Sequence, residues 1–155
     1  LDVGCGGGFA LEFLNKRIPH VVGVDLSRVA VKRCKNKGFS VIQMDAREMG
    51  FKNREADLVF SWGLLEHFLD FTPFVEEMGR MSRRYVVLVQ PNVHSFYGKM
   101  LFFFTNILGR GVSEYPYYIE DFVEAFEEQQ FKLIYRKGTI LKEFEVLVFE
   151  SSEEP

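Results

Sequence analysis

The chain has 155 residues, 47% of them hydrophobic and 26% charged, which suits one domain with a buried core and excludes a disordered chain. Nineteen basic against twenty-two acidic residues leave a formal charge of −3, too balanced for affinity built on neutralising phosphates, so no nucleic acid is expected as partner. The two cysteines, Cys5 and Cys34, have no His or Asp around them at metal-ligand spacing; they predict neither a metal site nor a disulfide framework, and point to a reducing, cytoplasmic setting.

Leu1-Asp2-Val3 reads as the tail of an apolar strand, followed by the glycine cluster Gly4-Cys5-Gly6-Gly7-Gly8 and a helical pattern from Phe9 to Lys16. Val21 to Val24 forms a short second strand ending at Asp25, and Ser27 is placed to cap a helix that stops near Gly38. The basic run Lys32 to Lys37 falls on that helix and is expected to be its solvated face. Phe39 to Met44 predicts a third strand ending at Asp45, and Asp57 to Ser61 a fourth. Thr72-Pro73 predicts a helix start with Thr as cap, and Tyr85 to Val89 a fifth strand.

The last third reads differently. Residues 91–118 are aromatic and irregular, Ile119 to Gln130 is helical, and strands at Phe131 to Arg136 and Phe144 to Glu150 can pair as an antiparallel edge hairpin. Short apolar strands alternating with helices predict an α/β fold, a mostly parallel seven-stranded sheet covered by helices on both faces. A single domain over residues 1–150 is expected, with 151–155 as a frayed tail.

In a parallel sheet, ligands bind at the carboxyl ends of the strands, so Asp2, Asp25, Asp45 and Ser61 gather on one rim. Glycines at positions 4, 6 and 8 leave room there for a ligand to approach backbone N–H groups. Asp25 ends the second strand, close to the spacing at which a carboxylate accepts from two ribose hydroxyls. A dinucleotide-binding fingerprint wants a further glycine at position 9, where this chain has Phe9.

Leu1-Asp2-Val3-Gly4-Cys5-Gly6-Gly7-Gly8, Val22-Gly23-Val24-Asp25-Leu26-Ser27, Ile42-Gln43-Met44-Asp45-Ala46 and Ala56 to Ser61 with Leu65-Glu66-His67 together resemble the motifs of the class I S-adenosylmethionine-dependent methyltransferases, especially those acting on small molecules and lipids. The resemblance covers about residues 1–90 and implies a Rossmann-like, doubly wound sheet with S-adenosylmethionine as cofactor. It further implies that Gly4 and Gly6 pass the methionine part close to the backbone, that Cys5 between them is also cofactor-binding, that Asp2 helps to hold the amino group and that Asp25 binds the ribose. Leu26 would pack on adenine, Asp45 accept from its amino group, and the backbone at Ala46 and Ser61 complete the pocket. The family has a helix ahead of the first strand; the chain opens at Leu1 without one, so a preceding segment or a non-catalytic binding module are both expected readings.

Methyl transfer needs alignment and, for some acceptors, a base. His67 is the first candidate base, with bracing of its loop as the alternative role; His94 and Tyr97 come next. Residues 91–118 lie where the family often covers its substrate. Within them Met100 to Leu108 is too short to cross a bilayer; it suits core packing, a lid, or transient membrane-surface contact through residues 98–108. A small-molecule or lipid-like acceptor is expected.

Overall fold

The computed structural model describes residues 1–96, 98–100, 103, 114–140 and 143–153. In chain order these form β1 (Asp2–Val3), α1 (Phe9–Leu14), β2 (Gly23–Asp25), α2 (Arg28–Asn36), β3 (Val41–Gln43) and β4 (Ala56–Trp62). A 3₁₀ turn (Leu65–His67), α3 (Thr72–Met81), β5 (Ser82–Pro91), α4 (Ile119–Glu128), β6 (Phe131–Gly138) and β7 (Phe144–Ser151) follow.

The strands form one seven-stranded sheet in the order β3-β2-β1-β4-β5-β7-β6. The first five run parallel, while β7 pairs antiparallel with both β5 and β6. Chain direction across the sheet reverses between β1 and β4, where Asp2 stands level with Gly23 on one side and Phe60 on the other. This is the switch point at which a doubly wound sheet opens a crevice at its strand ends.

Two apolar layers cover the sheet. The smaller sets Ala10, Leu11 and Leu14 of α1 and Val31 and Cys34 of α2 against Val21 and Val41. The larger packs Phe74, Val75 and Met78 of α3 and Phe122 and Phe126 of α4 onto Val59, Val86, Leu88, Leu147 and Phe149. Helices on both faces and an antiparallel carboxyl-terminal hairpin agree with the expected α/β class.

Several boundaries move, each for a local reason. The third strand is shorter than Phe39 to Met44: Phe39 instead turns its ring toward Gly8 and the smaller core. Ser27 caps α2 as expected, its Oγ accepting from the Ala30 N–H at 3.3 Å. Thr72 does not cap α3; it is the first helical residue, and the Asp70 carboxylate accepts its N–H at 3.0 Å. The first helix stops at Leu14, short of Lys16, and α4 stops at Glu128, since Gln130 adopts φ 63° to turn the chain into β6. β5 gains residues at both ends because β4 and β7 supply partners on either side. The tail expected to fray from Ser151 is held to Glu153: Ser151 ends β7, the Ser152 N–H donates to the Gln130 carbonyl at 2.8 Å, and Glu153 pairs with Arg54.

Candidate active site

The glycine loop joins β1 to α1 by reversing the chain through left-handed backbone. Gly4 has φ +73°, and a Cβ there would stand 2.9 Å from Leu64 Cδ1. Gly6 has φ +51° but faces open space, so its lack of a side chain serves conformation and leaves a ligand room to approach. Cys5 between them turns inward: its thiol is buried, lies 2.9 Å from where a Cβ on Gly23 would stand, and is pushed up in pKa by burial. The Cys5 side chain thus packs into the smaller core, which leaves its backbone for the ligand side.

Asp25 is fixed by two backbone donors. The Gly6 N–H reaches Oδ2 at 2.8 Å and the Ser27 N–H reaches Oδ1 at 2.8 Å. A carboxylate has about four acceptor positions, so two remain for a diol once both oxygens are anchored this way. Leu26 next to it is 62% exposed, an apolar side chain left on the rim without a protein cover. Lys37 reaches back from α2 to the Gly7 carbonyl at 2.9 Å, so one member of the otherwise solvated basic run also steadies the loop.

Asp2 is the most unusual member. It is 1% exposed, and its Oδ2 has no hydrogen-bond partner. Burial pushes its carboxyl up to about 7, and Asp25 adds to the rise. An orphaned buried carboxylate oxygen costs of order 1–3 kcal/mol, and a bound ammonium group would relieve it.

On the far side of the rim, Asp45 is occupied: Arg47 donates its Nη2 to Oδ2 at 2.6 Å and its Nε to both oxygens. The Arg47 fork holds the Asp45 carboxyl below the usual range. An adenine amino group would have to share this carboxylate with Arg47, a neighbour two residues away that the sequence reading passed over. Ala46 beside it is buried in the larger core. Ser61 is fully buried, and its hydroxyl donates to the Val3 carbonyl at 2.9 Å, lashing β4 to β1 across the switch point.

Of the three candidate bases, His67 is half-buried in the 3₁₀ turn just past β4. His94 is committed elsewhere: Nε2 lies 3.0 Å from the Pro116 carbonyl, and the ring stacks on Tyr118 with centroids 3.8 Å apart. A carbonyl only accepts, so Nε2 carries the proton, and His94 acts as a brace. Tyr97 lies outside the described residues, as does most of 98–108, the run read as core packing, a lid or a membrane-surface contact. The segment 114–118 is stitched down by the Tyr115 N–H to the Glu66 carbonyl at 2.7 Å, and by the Tyr117 hydroxyl to the Phe68 and Leu69 carbonyls at 3.0 and 2.7 Å.

Three residues of this half were missed. Glu66 is 4% exposed, with Oε2 unpartnered, and burial pushes its carboxyl up to about 7 against its own backbone hydrogen bond and His67. Glu114 stands within reach of Glu66 and His67. Gln90, at the end of β5, is fully buried with both amide atoms unpartnered. Glu66 had a signal, its place before His67 in the fourth motif. Glu114, 47 residues on from His67, had none. A separate cleft lined by Ile18, His20, Val22, Phe51 and Glu55 sits at the opposite, amino end of β1 and β4, away from these groups.

A family model described as a methyltransferase domain matches residues 1–89. The chain is 27% identical over 85 residues to the "Probable S-adenosylmethionine-dependent methyltransferase" of Mycobacterium tuberculosis, covering 54% of this chain and 31% of that protein. It is 31% identical over 90 residues to the ubiquinone biosynthesis O-methyltransferase of Hahella chejuensis, covering 54% and 38%. The chain thus spans about a third of these curated relatives. The magnesium protoporphyrin IX methyltransferase of Synechocystis PCC 6803, solved with bound SAH, superposes with a TM-score of 0.79 at 19% identity, over 97% of this chain and 73% of that one, a likeness of fold. Asp2 toward an ammonium, Asp25 toward a ribose diol, Leu26 toward a flat base and the bare Gly6 between them fit S-adenosylmethionine part by part. The chain belongs to the methyltransferase domain family, the class I S-adenosylmethionine-dependent methyltransferases.

Proposed function

We propose that this domain moves a methyl group from S-adenosylmethionine to a small-molecule or lipid-like acceptor by in-line displacement. The observation that carries the reading is Asp25, whose carboxylate is pinned by the Gly6 and Ser27 N–H groups at the switch point and keeps free lone pairs toward the rim. S-adenosylmethionine, when bound, supplies a methyl group on a sulfonium. The chain's own residues hold and orient: Asp2 takes the ammonium at the methionine end, Asp25 takes the ribose hydroxyls at the middle, and Leu26 offers the adenine end an apolar floor. Alignment of this kind is worth several kcal/mol of barrier without any protein nucleophile.

The acceptor side lies over the ends of β4 and β5, beside the 3₁₀ turn and the 114–118 segment. Exposed rings at Phe96, Phe103 and Tyr118, 79%, 60% and 57% exposed, give this part of the chain an apolar surface suited to an organic acceptor. A relative named for ubiquinone biosynthesis and a structural neighbour named for magnesium protoporphyrin IX support the same class. No helix among the described residues is long and apolar enough to cross a membrane. The two buried free thiols support the expected reducing, cytoplasmic setting.

Isothermal calorimetry with S-adenosylhomocysteine tests the reading. Binding that is lost in Asp25→Ala, with NAD producing no heat, is the expected result. Binding of NAD in preference would overturn it, and binding of neither ligand would reduce the domain to a module without this chemistry.

A further inference from the structure

We propose that Glu66, His67 and Glu114 form a divalent-metal site that staples the 114–118 segment onto the 3₁₀ turn beside the acceptor side of the cleft. One oxygen from each carboxylate and one imidazole nitrogen lie within 4.8 Å of one another. Ligand atoms about 2.0–2.2 Å from a common ion stand up to roughly 4.4 Å apart when opposite, so a slight inward rotation of the side chains closes the set.

Two further observations point to a ligand there. Glu66 is 4% exposed, and its Oε2 has no protein partner. Desolvating a carboxylate without compensation is among the costliest things a fold can do. Glu114 brings a second carboxylate to the same place, and among the described residues neither Glu66 nor Glu114 forms an ion pair with a lysine or arginine. Two carboxylates drawn together repel unless a proton or a cation lies between them. A protonated His67 could be that cation, but the Glu66 Oε2 accepts no hydrogen bond from it; a metal ion would take this oxygen together with the neutral imidazole nitrogen as a mixed donor set.

Two oxygens and one nitrogen suit Mn²⁺, Co²⁺ or Zn²⁺. They suit Ca²⁺ poorly, since that ion takes six to eight oxygen ligands. The site joins sequence-distant pieces. Glu66 and His67 follow β4, while Glu114 precedes the strap whose Tyr115 N–H already binds the Glu66 carbonyl and whose Tyr117 hydroxyl clamps Phe68 and Leu69. A bound ion would turn that strap from a set of single hydrogen bonds into a fixed wall of the acceptor cleft. It would also give His67 the role of metal ligand in place of base. The site is independent of the cofactor assignment.

The test is titration of the full chain with Mn²⁺, followed by the electron paramagnetic resonance signal of the free ion, and repeated on Glu66→Gln and Glu114→Gln. S-adenosylhomocysteine calorimetry and circular dichroism on the same samples serve as controls. The expected result is about one Mn²⁺ per chain in the wild type, at least tenfold weaker binding in both variants, and unchanged S-adenosylhomocysteine affinity and fold. Amide exchange across 114–118 should slow on adding Mn²⁺ in the wild type alone. Absence of Mn²⁺ binding at millimolar concentration, confirmed with Zn²⁺ by calorimetry, would overturn the proposal. So would binding that survives Glu114→Gln, a change at a partly exposed residue that leaves the core intact.

Discussion

The two halves of the rim are built by different means. On the cofactor half, backbone N–H groups do the positioning: Gly6 and Ser27 hold Asp25, and the smaller core of α1 and α2 lies directly beneath. On the other half, which we propose faces the acceptor, side chains and aromatic rings do it: Tyr117 clamps the 3₁₀ turn, His94 stacks on Tyr118, and Phe71 packs against Tyr117 and Phe122. The bonds that hold Asp25 and the glycine loop span at most 30 residues, whereas Tyr117 reaches back 49 and 48 residues to Phe68 and Leu69. A common ligand can be met by a fixed backbone cradle, whereas an acceptor that differs among relatives needs a wall built from replaceable side chains.

That contrast can be broken most forcefully through the larger core. Phe126→Ala removes a fully buried ring stacked on Phe149 and is expected to cost about 3–5 kcal/mol in denaturant unfolding. The affinity of the folded fraction for S-adenosylhomocysteine should stay unchanged, because the cradle rests on the other layer. A matching fall in affinity would mean that the two halves are not separable.

Asp25→Ala strikes the cradle itself. Loss of a charged hydrogen-bonding group worth about 2–3 kcal/mol predicts roughly 30- to 150-fold weaker S-adenosylhomocysteine binding, with a smaller loss of stability from the two N–H groups left to water.

Asp2 sharpens the comparison through pH. Only its ionised form can pair with an ammonium, and burial has pushed its carboxyl up to about 7 in the ligand-free fold. Binding should therefore strengthen by about tenfold between pH 6 and pH 8, and calorimetry on Asp2→Asn should give a flat profile over that range. Stability runs the other way. The folded pKa lies above the unfolded value of about 3.9, so the folded state keeps a proton that the unfolded chain has lost, and stability falls as pH rises from about 4 to about 7. Asp2→Asn should remove its share of that slope in urea melts and leave the share due to Glu66, whose carboxyl is likewise pushed up to about 7.

The smallest expected effect is His94→Phe, which keeps the stack on Tyr118 and deletes the bond to Pro116. About 0.5–1.5 kcal/mol of stability should go, with methyl transfer to any identified acceptor changed less than threefold. A hundredfold loss of turnover would restore His94 as a catalytic group.

The same division decides what could be read from the chain alone. The cofactor half is local: glycines in a strand-to-helix turn, an acidic strand end twenty residues on, and a serine cap each carry their geometry in their spacing. The sheet and its antiparallel edge were legible for the same reason, since apolar runs and turn residues mark every strand. The acceptor half was not. Glu66 stood in a motif but gave no sign of its burial, Gln90 looks like an ordinary polar residue until the fold buries it, and nothing in the sequence brings Glu114 to Glu66. Arg47 was hidden differently: it neighbours Asp45 in sequence, but only side-chain geometry shows the carboxylate already in use.

The position of β7 has a consequence for synthesis. This strand lies between β5 and β6, so it is made after β6 and yet is an interior strand of the sheet. Until residues 144–151 have emerged, β5 presents an open apolar edge beside β4, and β6 has no neighbour to pair with. The two antiparallel pairings, β5 with β7 and β7 with β6, must then wait until residues 144–151 are made. Shortening the protein at Gly138 would remove the keystone of the sheet rather than trim its rim.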